Sequence, residues 1–519
     1  MIQFLATTQA GCRRLFPRHL LHRIATLAFI AVAGLSTQTL SFAESKANSA
    51  TRPNIVFILA DDMGYGDVQA LNPKSQIATP NLNRLAEEGM VFTDAHSPSA
   101  VCTPTRYATL TGRYSWRSRL KRGVLNGYSE QLIERDRPTV ASHLLRNGYD
   151  TAVIGKWHLG LGFQKDQRGQ WDWSKPLDYS PVDAGFNDSL VIPASLDFPP
   201  YVFIDGHQIT GLPDRTQPAQ SFPAFLRKGE LGSDFSISDC LDRLTNRASQ
   251  YIRSHAGNEQ PFFLYFPLTA PHKPVMPHER FTGATKLGPY GDFVTQVDWT
   301  VGQILAAIDE SKIAEKTLVI YTSDNGSFMR RQSDPKDADH VSDETVQAFY
   351  EGNHTANGPW RGTKADIWEG GHRVPFFARW KGTISPGSTC STPICHVDLF
   401  ATAADLSGEK LPAADQAAPD SFSIVPLLRG NENQFRRAPI VNHSANGTFA
   451  IRDGKWKLVF SDGSGGREKP SGNPFGTPWK LFDLSTDPTE SNDLAMSHGD
   501  VVARLSSELM RFFANDKSR

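Results

Sequence analysis

The chain has 519 residues, with 54 Lys and Arg against 55 Asp and Glu, for a formal net charge of −1. Hydrophobic residues make up 39% and charged residues 21%, an ordinary globular composition that excludes a disordered or fibrous protein. The even charge balance removes the electrostatic case for a nucleic-acid binder, and the length allows two domains or one large α/β domain with an appendage.

Residues 1–43 stand apart. Arg13, Arg14, Arg18 and Arg23 form a basic lead, Ile24–Leu35 is an uncharged apolar run, and Ser41-Phe42-Ala43 places small residues ahead of Glu44. This is the three-part layout of a secretory signal peptide. The apolar run is shorter than the ~20 residues a bilayer requires, so the expectation is export with cleavage to the periplasm, the extracellular space or a lysosomal or secretory compartment. No later segment is apolar enough to anchor the mature chain in a membrane.

Four apolar runs follow in the body of the chain, Asn54–Ala60, Asp150–Ile154, Pro261–Leu268 and Thr317–Thr322. Continuous runs of this kind read as strands buried on both faces of a parallel sheet. Helical patterns lie between them, at Asn81–Glu88, Thr139–Asn147 (closed by Gly148) and Asp292–Ser311. The expected fold is α/β, a large, mixed, mostly parallel sheet sandwiched by helices over residues 51–430. After residue 430 the pattern becomes short alternating strands, Ala438–His443, Gly447–Arg452 and Lys455–Ser461, then an amphipathic stretch at Val501–Asn515. Residues 431–519 therefore read as a smaller antiparallel sheet with a terminal helix. Segments 161–175, 207–232 and 326–358 read as long loops, a common seat of function. Cys240 reads as a buried small hydrophobe. Cys390 and Cys395 are close enough in sequence for a small disulfide loop, and the sequence leaves that pairing open.

Ligands of open α/β sheets bind beyond the carboxyl ends of the strands. Asp61 and Asp62 follow the first run, Lys156 and His158 the second, His272 the third, and Asp324 and Asn325 the fourth. The two aspartates after the first run, with Asp324 and Asn325, are hard oxygen donors, suited to Ca²⁺ or Mg²⁺ rather than zinc. His158 and His272 lack a partner at zinc-like spacing and read as acid/base or anion-binding groups. Cys102-Thr103-Pro104-Thr105-Arg106 places a cysteine at a helix N-terminus with a guanidinium one turn on. On these residues alone it is either a thiol at an anion site or a structural cysteine beside a helix cap. A tyrosine-phosphatase loop is excluded, since it needs Arg where Ala108 stands.

Cys102–Arg113 (CTPTRYATLTGR) resembles the signature of the formylglycine-dependent sulfatases of the alkaline-phosphatase superfamily, C-x-P-x-R with an L-T-G-R ending. Gly148–Gly160, Asp61–Asp67, Asp324–Gly326, Gly362-Thr363-Lys364 with Glu369-Gly370-Gly371, and the stretch from Leu481 to Glu490 are similar to other segments of that family, so the likeness spans roughly residues 53 to 495. The type resembled is arylsulfatase or N-acetylgalactosamine-6-sulfatase. The resemblance implies that a maturation enzyme converts Cys102 to Cα-formylglycine. It also implies one calcium ion per chain on Asp61, Asp62, Asp324, Asn325 and residue 102, with Arg106, Lys156, His158, His272 and Lys364 as the cationic and acid/base set. Ser195 resembles a serine that contacts the sulfate, beside Lys156, His272 and Lys364.

The implied activity is hydrolysis of a sulfate monoester on a carbohydrate or an aryl group, with neither a nucleic-acid partner nor stable membrane insertion. Two alternatives stand beside it: a phosphoesterase or phosphonate hydrolase of the same superfamily, and an inactive homologue that binds sulfated glycans. Arg117, Arg119, Lys121 and Arg122 read either as a basic track for an anionic polysaccharide or as a solvated surface.

Overall fold

The computed structural model describes residues 52–519; the expected signal peptide lies outside the described residues. The four apolar runs become strands β1 (Asn54–Asp61), β2 (Asp150–Lys156), β4 (Phe262–Pro271) and β5 (Thr317–Ser323), with β3 (Asp188–Ile192) beside β2. Their order is β5-β1-β4-β2-β3, and every pairing among these five is parallel. Burial on both faces explains the unbroken apolar runs, since every residue of β1, β4 and β5 is buried.

Among the described residues the sheet has ten strands. Antiparallel neighbours extend it on both sides, Phe376–Arg379 against β5 and Ile204–Asp205 against β3. Helices cover both faces, and two hydrophobic clusters separate the side chains of β1 by alternation, with Val56 and Ile58 on one face and Ile55, Phe57 and Leu59 on the other. Helix α1 (Cys102–Thr111) packs with the second cluster through Tyr107 and Leu110. Helices α2 (Cys240–His255) and α3 (Gly288–Glu310) cover the first.

The C-terminal region is the expected antiparallel sheet, β6 (Ile440–His443), β7 (Phe449–Asp453), β8 (Trp456–Val459) and β9 (Lys480–Asp483), packed under helix α4 (Gly499–Ala514). Buried ion pairs tie it to the larger sheet. Arg452 of β7 meets Asp94 at 2.6 Å, and Lys457 of β8 meets Glu369 at 3.0 Å.

Two sequence readings take definite form here. Cys390 and Cys395 are free, buried thiols on strands of two different sheets. Arg117 belongs to no basic track: it is buried and bidentate to Asp420, at 2.9 Å for both bonds. No helix among the described residues is long and apolar enough to cross a membrane.

Candidate active site

The carboxyl ends of β1, β2, β4 and β5 bring the sequence-predicted residues together below the N-terminus of α1. Asp61 closes β1 and Asp62 turns away from it in the left-handed region (φ 63°). That turn directs the Asp62 amide to Asp324 Oδ1 at 3.2 Å, beyond the end of β5. Lys156 closes β2, and His158, also left-handed (φ 58°), follows it. Strained non-glycine conformations of this kind cluster at functional sites. Gly155 has its own steric reason, because a Cβ there would overlap the Pro267 carbonyl of β4.

Cys102 is the first residue of α1, where free amides and the helix dipole favour negative charge. Its Sγ lies 3.7 Å from Asp61 Oδ1 and 3.4 Å from Lys364 Nζ. Arg106, one turn on, is fully buried and donates from Nε and Nη2 to Asp324 Oδ2 at 3.1 and 2.7 Å. Its Nη1 donates to the Lys156 carbonyl at 3.0 Å, which ties α1 to β2. The loop bearing Lys364 is held at both ends, by the Lys364 amide on the Ser327 carbonyl (3.0 Å) and the Ala365 amide on the Ala100 carbonyl (2.8 Å).

The charges pair one for one. Lys156 Nζ is 2.7 Å from Asp61 Oδ2, Lys364 Nζ is 2.7 Å from Asp62 Oδ1, and Arg106 holds Asp324. Burial pulls the Lys364 ammonium down, but the Asp62 carboxylate and its acidic neighbours outweigh that and raise it. Burial, aided by Asp324, pushes the Cys102 thiol up to about 12. His158 and His272 are held well below the ordinary imidazole range, by burial first and then by Lys156 and Lys364 respectively. With both imidazoles favoured in their neutral form by this burial, the charges of Lys156, Lys364 and Arg106 cancel those of Asp61, Asp62 and Asp324. A divalent cation would leave the pocket net positive, the condition an anionic ester requires.

Asn325 donates from Nδ2 to Asp62 Oδ1 at 2.6 Å, while its Oδ1 is buried without a partner. An unpaired buried amide oxygen is costly. Beside three carboxylates it makes an all-oxygen donor set that fits a hard divalent cation. A second buried grouping, His96, Glu369 and His372, fits no metal because cations already fill it. Lys457 Nζ is 3.0 Å from Glu369 Oε1, and Arg452 Nη1 is 2.8 Å from His96 Nε2.

Ser195 enters the site beside His158, its Oγ 3.4 Å from Nδ1. His158 Nε2 donates to the Leu125 carbonyl at 2.8 Å, which leaves Nδ1 as the nitrogen with a lone pair. His272 Nδ1 is held by the Lys273 carbonyl, and its Nε2 faces Asp62 Oδ2 at 3.7 Å. Sequence reasoning missed Asp197 and the Leu125 carbonyl. Asp197 is buried, pairs with Arg227, and leaves Oδ1 unpartnered 3.9 Å from His272 Nδ1. Its place two residues after Ser195 was the available signal; a backbone carbonyl leaves none.

A family model described as Sulfatase matches residues 53–409. The N-acetylgalactosamine-6-O-sulfatase of Bacteroides thetaiotaomicron is 34% identical over 512 residues, which cover 90% of this chain and 94% of that protein. Human arylsulfatase A is 32% identical over 467 residues, covering 86% and 84%. A solved structure from work on the metabolism of multiple glycosaminoglycans by Bacteroides thetaiotaomicron superposes with a TM-score of 0.77 at 32% identity, over 89% of this chain and 99% of that one.

Proposed function

The chain belongs to the sulfatase family and is a sulfuric ester hydrolase, and from that premise we propose that it works with calcium and a formylglycine made from Cys102 on sulfated carbohydrate. The observation that carries this reading is the meeting of opposite charges at one sulfur, Asp61 Oδ1 at 3.7 Å and Lys364 Nζ at 3.4 Å from Cys102 Sγ. A buried thiol pushed up to about 12 is a poor nucleophile as it stands. The position is built for an oxygen nucleophile between a cation site and an ammonium.

Asp61, Asp62, Asp324 and Asn325 would hold the calcium ion, with residue 102 completing the set. When bound, the ion supplies positive charge to the oxygens that become anionic in the transition state. A hydrated formylglycine supplies one hydroxyl to attack sulfur and a second through which the aldehyde returns.

The remaining work falls to the chain's own side chains. Arg106, fixed by three hydrogen bonds, holds its guanidinium under residue 102 without reorganising. Asp324 is the base for the attacking hydroxyl. Lys156 and Lys364 turn from their carboxylates to the sulfate oxygens, and His272 and Ser195 complete the clamp. His272, whose Nδ1 hydrogen is committed to the Lys273 carbonyl, takes up a proton on Nε2 when the anionic ester binds, and it or Lys364 then passes that proton to the departing alcohol. His158 takes the proton of the second hydroxyl on Nδ1, the nitrogen left free by its bond to Leu125.

The curated relative that acts on N-acetylgalactosamine 6-O-sulfate supports a sulfated glycan as substrate, with small aryl sulfates as artificial ones. In this reading residues 51–430 are the catalytic domain, residues 431–519 an appended antiparallel unit, and the leader directs export. Peptide mass spectrometry across Cys102, on protein matured in its own host, tests it. An aldehyde mass in place of the thiol is expected; an unmodified thiol in protein that releases sulfate overturns the mechanism.

A further inference from the structure

Next to the Lys364 loop lies a cleft of about 580 Å³ that plays no part in the chemistry above. Its volume falls within the range of ligand sites, ~300–1,000 Å³. Four separate segments form it: the strand Arg330–Gln332, the turn from Pro359 to Asp366, the Arg467–Lys469 stretch of the C-terminal region, and Thr489.

The charge of this cleft is uneven. Arg330, Arg331, Arg467 and Lys469 are exposed and form no ion pair among the described residues. Arg361 alone is neutralised, by Glu468 at 2.5 Å. The other acid of the wall, Asp366, is turned inward, accepting the amides of Thr363 at 2.9 Å and Glu468 at 3.0 Å. Trp360 adds an aromatic side chain to the lining, of the kind that packs against sugar rings.

The cleft also adjoins the reacting centre. Thr363 lines it, and the next residue, Lys364, reaches Cys102. Arg467 donates to the Phe328 carbonyl at 3.4 Å, and the Phe328 ring lies 5.4 Å from the Lys273 ammonium beside His272. Only the buried Phe328 separates Arg467 of the cleft from Lys273 beside the sulfate pocket.

We propose that this cleft binds the continuing chain of an anionic polysaccharide, holding sulfate or carboxylate groups on sugars beyond the one whose ester is cleaved. The assignment rests on the sulfatase reading and deepens it: the substrate is a charged polymer, and affinity for it resides partly outside the catalytic pocket. Such binding is screened by salt.

The test uses the full-length Cys102→Ala protein, which cannot consume its ligand. Titration calorimetry at low salt measures its affinity for sulfated dextran oligosaccharides and for neutral dextran of equal length. Adding Arg330→Ala with Arg467→Ala is expected to weaken sulfated-dextran binding at least tenfold. The distant exposed pair Lys121→Ala with Arg122→Ala is expected to change it less than twofold. Equal losses in both pairs, a loss under twofold in the cleft pair, or no binding by the parent overturns the proposal. Thermal melting of each variant excludes misfolding. Turnover of a small aryl sulfate by matured wild-type protein is read separately, and its absence counts against the sulfatase mechanism whatever the cleft binds.

Discussion

The ammonium of Lys364 lies 3.4 Å from the sulfur of Cys102, although 262 residues separate them in the chain. The contact exists because two loops share one anchorage. Ala365 bonds back to Ala100, just ahead of α1, so the Lys364 loop and the start of the helix move together. The same ammonium is 2.7 Å from Asp62, which places it between the buried carboxylates and the Cys102 thiol. Cys102→Ala removes the proposed nucleophile and only a small buried group. It is expected to abolish sulfate release from an aryl sulfate while the melting temperature stays within about 4 °C, the scale of a ~1–2 kcal/mol change in a chain this large. Substantial turnover by this variant would falsify the mechanism.

Asn325 offers a test of the cation site that does not depend on turnover. Its Oδ1 is buried and unpartnered, and the proposed ion would satisfy it. Calcium at a hundred times its dissociation constant is therefore expected to stabilise metal-stripped wild-type protein by ~2.7 kcal/mol. Asn325→Ala should lose most of that gain. Differential scanning calorimetry with and without calcium reads both, and an equal rise in the two proteins would remove Asn325 from the donor set.

Arg106 is not interchangeable with lysine. Its planar fork makes two bonds to Asp324 and one to the Lys156 carbonyl at full burial, and an ammonium reproduces at most part of that geometry. Arg106→Lys is expected to lower kcat ~10²–10³-fold, the usual loss when one preorganised transition-state donor is removed. Steady-state kinetics on matured protein decide it, and a loss below fivefold would mean that bulk charge suffices.

The central strands were legible because burial on both faces leaves unbroken apolar runs; Asn54–Ala60 and Thr317–Thr322 match β1 and β5 to within a residue. The four-residue strand Phe376–Arg379 was not, since long-range pairing such as Val319 with Arg379 defines it rather than its own pattern. Helix α3 begins at Gly288, four residues ahead of the apolar periodicity, with Pro289 in its first turn. In the site, residue types following strand ends were readable, and their partners were not. Arg117 resembled a surface cation because Asp420, which buries it, lies 303 residues away. The basic cleft was equally hidden, being assembled from four distant segments.

Lys457 is the hinge of the buried network between the two sheets, 3.0 Å from Glu369 and 2.7 Å from Glu490. Glu369 is held well below the usual range despite its burial, chiefly by Lys457, while burial pushes Glu490 up to about 7. The lysine thus compensates two carboxyls of which one is readily protonated. Lys457→Met leaves Glu490 without its cation and Glu369 with only the guanidiniums of Arg373 at 3.3 Å and Arg452 at 3.7 Å, and is expected to cost ~3–5 kcal/mol, the usual loss on breaking a buried pair. Adding Glu490→Gln should return part of that loss, because one uncompensated acid disappears. Urea denaturation of the single and double variants measures it, and strictly additive losses would contradict a shared network.

His443 on β6 gives the protein a built-in acid sensitivity. Its ring is buried against Phe449, at 6.0 Å between centroids, and neither ring nitrogen has a side-chain or backbone partner. Burial lowers it to about 4, against an unfolded value of 6.5. A depressed imidazole is neutral in the folded chain and protonates first in the unfolded one. Its contribution is therefore fully present above pH 6.5 and is lost as pH falls towards 4. Between pH 7 and 4.5 this one group removes ~2–3 kcal/mol of stability. His443→Phe keeps the aromatic packing and deletes the titration, so the gap between its urea midpoints at the two pH values should narrow by that amount. His396, lowered to about 3 by the same desolvation, maintains a residual acid loss in the variant. An unchanged gap in His443→Phe would mean that the folded chain accepts the proton at His443 as readily as the unfolded one, and acid lability would then trace to His396 and the carboxylates.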